Sequence, residues 1–115
     1  MAILEEGTIN LVKGTPKTLF EATIAQLGIL GGHIDLTSLL DADDLIDVQL
    51  QLKYTSSGAY FNAGNPSPSK QIDQTFYLTP LEASFGYLVT VTLTSDSVSA
   101  TADLPYVIQK TDVST

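Results

Sequence analysis

The segment "LLDADDLIDVQLQLKY", residues 39–54, holds the densest run of groups able to do chemistry. Asp41, Asp43 and Asp44 lie within four residues, and Asp47 follows closely. Calcium favours oxygen-rich loops of this kind. An EF-hand loop, however, requires a central glycine and a closing glutamate, and neither is present. A catalytic carboxylate pair would require burial to split the two pKa values, and the polarity of the loop argues against that. Aspartates also favour turns, because their side chains accept hydrogen bonds from nearby backbone N–H groups. The reading adopted is a turn that opens a strand, with a weak calcium site at Asp41, Asp43 and Asp44 as the alternative. On the turn reading, changing all three to Asn should leave stability within about 1 kcal/mol.

The remaining candidates are few. His33 is the only histidine and there is no cysteine, so neither a thiolate site nor a two-histidine metal site can form. No Gly-x-Ser-x-Gly elbow, P-loop or Gly-x-Gly-x-x-Gly motif occurs. His33 is expected to be an outward-facing strand residue, the protein not to be an enzyme, and no cofactor to be required. Tyr60 and Phe61 fall in a polar stretch between Gly58 and Pro66, and Tyr77 points away from the apolar side of its segment. Exposed aromatics in such company serve as protein-interface anchors or as a platform for a sugar; alternatively, the loop carrying Tyr60 and Phe61 folds down over one end of the molecule.

The elements that must position these residues are strands. Period-two alternation prevails over helical spacing nearly everywhere. It places Ile34 and Leu36 inward with His33 and Asp35 outward. It continues through Ile46, Val48, Leu50, Leu52 and Tyr54, through Ile72, Gln74, Phe76 and Leu78, and through Tyr87, Val89, Val91 and Leu93. Shorter runs cover residues 8–12 and 18–24, and a last run covers 100–110. Pro105 lacks a ladder donor and places that last strand at an edge or beside a bulge. "TPLEASFG" interrupts the pattern. Seven or eight short strands predict an all-β chain, an antiparallel two-sheet β-sandwich or jelly roll. Residues 1–115 form one domain, with residues 1–7 as an N-terminal arm and residues 55–70 as a long loop.

Charge narrows the partners. Thirteen acids oppose five lysines, with no arginine, for a net charge of −8. Phosphate recognition demands clustered cations, so neither nucleic acid nor an anionic membrane surface is an expected partner. No apolar run reaches the ~18 residues of a membrane helix. The opening "MAILEEGTINLVKG" lacks the basic start and apolar run of a signal peptide.

The run "TLFEATIAQLGILGGHIDLTSLLDADDLIDVQLQLKY", followed by "QTFYLTPLEASFGYLVTVTLT" and a short final strand, resembles small β-sandwich structural proteins of tailed phages and archaeal viruses. The likeness is one of pattern over residues 18–110, and Asp43 stands where the usual turn glycine would be. The resemblance implies a virion component, a capsid decoration or minor capsid protein, in contact with other copies of itself or with a major capsid protein. On this reading Ile3, Leu4, Tyr60 and Phe61 are the expected contact residues. The alternative is an extracellular ligand-binding module, such as a calcium-stabilised carbohydrate-binding β-sandwich.

Overall fold

The computed structural model describes residues 2–23, 28–41, 43–53, 55, 58–69, 74–83, 86–94 and 98–112. Eight strands and no helix occur among them: β1 (Ala2–Val12), β2 (Lys17–Thr23), β3 (Gly28–Asp35), β4 (Ile46–Lys53), β5 (Phe61–Gly64), β6 (Thr75–Ala83), β7 (Gly86–Leu93) and β8 (Thr101–Asp112). One sheet has the order β1-β8-β3-β6 and the other β2-β7-β4-β5. The pairs β1·β8, β2·β7, β3·β6 and β4·β5 are all antiparallel. The chain is thus one long hairpin, first strand against last, rolled up until β3 also pairs with β8 and β4 with β7. That connectivity defines a jelly roll.

The core forms where the inward rows of the two sheets meet. Ile46, Val48, Leu50 and Leu52 of β4 interleave with Tyr87, Val89, Val91 and Leu93 of β7, all buried. Leu30 and Ile34 of β3 and Leu104 and Ile108 of β8 close the layer from the opposite sheet. The alternation in the sequence follows from this geometry, since successive side chains of a strand point to opposite faces and only one face of each sheet is dry. Tyr54 and Ile72 of the predicted inward rows lie outside the described residues.

Four local expectations are revised. Residues 2–7 are not an arm: β1 begins at Ala2 and pairs along its length with β8. A bulge between Ile3 and Glu5 hides this in the sequence, because the extra residue breaks the alternation. The 55–70 stretch contains a strand, β5, whose Phe61 and Asn62 pair with Leu52 and Gln51. "TPLEASFG" does not end its strand either. β6 continues to Ala83 by placing Thr79 and Pro80 in a register shift at the sheet edge, where a missing N–H is tolerated. Finally, β8 is an interior strand, although Pro105 predicts an edge or a neighbouring bulge. The two agree locally: pairing of β8 with β3 stops at Tyr106, so among the described residues β1 is the only strand that pairs with β8 from Thr101 to Pro105.

Candidate functional site

Two surfaces gather some of the residues that sequence reasoning singled out: Asp41, Asp43 and Asp44 on one, His33 and Tyr77 on the other. The first is built on the acidic turn. Asp44 is only 2 % exposed, and its carboxylate joins two loops. Val98 N–H donates to Oδ1 at 2.7 Å. Ser99 N–H, at 3.1 Å, and Ser99 Oγ, at 2.6 Å, donate to Oδ2, and Asp41 N–H adds a longer bond of 3.4 Å. Ser99 Oγ in turn accepts from Leu40 N–H at 2.9 Å. Burial opposes ionisation of Asp44, but the Ser99 hydroxyl and the N–H groups of Val98, Ser99 and Asp41 outweigh it and hold the carboxyl below its ordinary range.

The three aspartates therefore do different work. Asp41 Oδ1 accepts Asp43 N–H at 2.8 Å, closing a turn, Asp43 is exposed, and Asp44 is a buried clasp. The turn reading describes Asp41 and Asp43 but understates Asp44. Both oxygens of Asp44 are already occupied by N–H and O–H donors, so the trio does not form the open oxygen cage that calcium requires. Among the described residues no cluster of three His, Asp or Glu is placed to hold a metal ion. The partner, Ser99, lies 55 residues away in a stretch whose composition announces only a turn, so nothing in the sequence marks the pair.

The clasp holds apolar side chains in solvent. Leu40 is 75 % exposed and Val98 64 %, with Leu45 partly exposed beside them. Each belongs to or adjoins the hydrogen-bonded segment: Leu40 through its N–H, Val98 through its N–H, and Leu45 next to Asp44 with its carbonyl accepting Thr94 N–H. Sequence reasoning missed all three, because "TSLLDADDL" and "SDSVSA" show their leucines and valine only as neighbours of turn residues.

The second surface is the outward face of the β1-β8-β3-β6 sheet. Register puts His33 of β3 opposite Tyr77 of β6 and Asp35 opposite Thr75. The His33 and Tyr77 rings lie 5.9 Å apart and tilted by 57°. They line a shallow trough of about 620 Å³, closed on the β1 side by Glu6 and Thr8. Asp35 Oδ1 accepts two bonds from Thr37, from Oγ1 at 2.7 Å and from N–H at 2.8 Å. Those bonds, with a smaller contribution from nearby His33, hold its carboxyl below the usual range despite some desolvation.

The expected contact residues are dispersed. Ile3 and Leu4 are exposed on β1 at one edge of its sheet. Phe61 is 43 % exposed on β5, the edge of the other sheet. Tyr60 is largely taken up by its own sheet: its hydroxyl would lie 2.8 Å from a Cβ added at Gly86, and Lys53 Nζ stands 5.5 Å from its ring centre. Burial, and then the charge and hydrogen bond of Glu21, raise its pKa. Of the two readings of this loop, Tyr60 follows the one in which it folds down onto the sandwich.

Fold and surfaces together define a jelly-roll β-sandwich with a clasped apolar loop end and an aromatic trough on one outer face. No family model matches the chain, and no curated protein matches it.

Proposed function

We propose that the protein is a non-enzymatic structural protein acting through protein–protein contacts, a virion component of the capsid-decoration or minor-capsid kind that binds copies of itself or a major capsid protein. The observation that carries the reading is the clasped loop end. Three aliphatic side chains, Leu40, Leu45 and Val98, are held in water by a buried charge-assisted network. Ordering exposed hydrophobes gives the isolated chain nothing, whereas a partner that covers them gains both the apolar area and a preformed shape. Asp41 and Asp43 beside the patch, with no arginine anywhere in the chain, favour a partner whose apolar pocket has a basic rim. The jelly roll is a fold found in capsid proteins and also in lectins and cupins, so the weight rests on the surface, not on the architecture.

The test compares folding with assembly. Leu40→Ser combined with Val98→Ser should melt as the wild type does, since both side chains are already in water. The same variant should lose self-association or particle binding, read by mass in solution and by co-sedimentation. Unchanged association by the double variant, or a wild type that is monomeric and co-purifies with no particle protein, would overturn the proposal.

A further inference from the structure

Tyr77 is 72 % exposed on the outward face of a sheet whose other aromatics are mostly turned inward or tied down. It does not stand alone. On one side is the polar trough described above; on the other a second depression of about 290 Å³ continues along the same face, floored by Gly31 and walled by Ile29 and Pro80. Both hollows share Tyr77. The result is one open groove with a flat ring standing midway, a polar half and an apolar half. Its larger part falls within the ~300–1,000 Å³ of small-ligand sites.

The chemistry of the walls limits the occupant. A sugar ring presents faces of C–H groups and a rim of hydroxyls. An exposed tyrosine ring covers such a face, while carboxylates, imidazole and hydroxyls take the rim. Here the rim is supplied by Glu6, Thr8, His33, Asp35 and Thr75. Both Thr37 bonds to Asp35 go to Oδ1, which leaves Oδ2 as an acceptor. Glu6 and Asp35 in a chain of net charge −8 repel anionic ligands. A cationic ligand would suit the two acids, but an aromatic cage needs several ring faces around the charge. Among the groove's residues Tyr77 alone offers an open one, because Tyr106 is half-buried with its hydroxyl donating to Glu5 at 2.9 Å. An open groove with one central ring suits an extended, uncharged chain.

We infer that the outward face of the β1-β8-β3-β6 sheet binds a neutral oligosaccharide, with Tyr77 as the stacking platform and His33, Asp35, Thr75 and Glu6 as partners for its hydroxyls. The site stands apart from the loop-end contacts, and its failure would leave that reading untouched.

The experiment titrates the full chain, by calorimetry and by amide NMR, with neutral hexose and N-acetylhexosamine hexamers. A uronate hexamer and a lysine-containing peptide form the other arms. Two variants accompany the wild type. Tyr77→Ala removes the platform. Gly31→Val fills the groove without touching Tyr77, at a position where an added Cβ meets its neighbours at no less than 3.7 Å. At least one neutral hexamer should bind, shifting the amides of residues 33, 35, 75 and 77. Each variant should weaken it at least tenfold with an unchanged melting temperature. The uronate should bind at least tenfold more weakly. Lack of saturable binding by any neutral hexamer, equal binding in both folded variants, or preference for the uronate or the lysine peptide would each overturn the inference.

Discussion

Asp44 shows how far one carboxylate can depart from its neighbours. Asp41 and Asp43 spend their bonding locally, and replacing both with Asn should change stability by less than about 1 kcal/mol. Asp44→Ala should cost roughly 2–4 kcal/mol, because charge-assisted bonds are lost and buried donors at Val98 and Ser99 are left unpaired. The triple Asn change, expected from the sequence to be nearly neutral, should therefore be destabilising through Asp44 alone. Denaturant melts of the double Asp41, Asp43 variant against the single Asp44 variant separate the two contributions. Tyr87 is the opposite case. It is fully buried, with its ring centre 6.0 Å from that of Phe20, and its hydroxyl has no hydrogen-bond partner among the described residues. Burial alone pushes its pKa up to about 12. Tyr87→Phe keeps the ring and removes the unpaired hydroxyl, so it should leave stability unchanged or raise it by about 1 kcal/mol; a clear loss in a thermal melt would reveal a bonded hydroxyl.

At the scale of elements, register decides what touches what. The bulge in β1 turns Glu5 to the side of Ile108, where it meets the Tyr106 hydroxyl. Gly32 holds β3 against β8 with φ +146, and an added Cβ would run into the Val107 carbonyl. No other residue type fits there, which gives one of the glycines of "GILGG" a backbone reason. Because residues 2–7 are strand and not arm, deleting residues 1–6 should do more than remove a contact. It should strip several ladder bonds from β8 and cost roughly 2–4 kcal/mol, at about 0.5–1 kcal/mol for each bond and its packing. A truncated protein that melts with the wild type would restore the arm reading.

The whole molecule combines a high net negative charge with one acid-sensitive clasp. The sign for Asp44 is definite. Its folded pKa lies below the ordinary aspartate value of 3.8, so its contribution is fully present above that value and is lost as pH falls through the folded pKa. The chain also approaches zero net charge near its sequence pI of about 4.1, where mutual repulsion vanishes. Stability should be flat from about pH 7 to 5 and fall below about pH 4, with association strongest near the pI. Asp35, also held below its ordinary range by Thr37, contributes in the same sense. Asp44→Asn should therefore make the acid limb of the stability curve shallower without removing it, and an unchanged limb would place the sensitive group elsewhere.

Alternation alone determined most of the strands and the faces they present. Ile46, Val48, Leu50 and Leu52 are inward, and His33, Asp35 and Tyr77 outward, because a strand has a period of two and each sheet has one dry side. The same pattern could not place β5, the start of β1 or the second half of β6. Bulges and a proline break the period there, and pairing with a distant strand restores the structure that local sequence does not encode. Only the rolled-up topology decided which outward residues share a surface. His33 and Tyr77 become neighbours through β3·β6 pairing, and Asp44 reaches Ser99 across 55 residues. Periodicity carries the direction in which a side chain points, whereas its partner is set by chain crossings that no local pattern records.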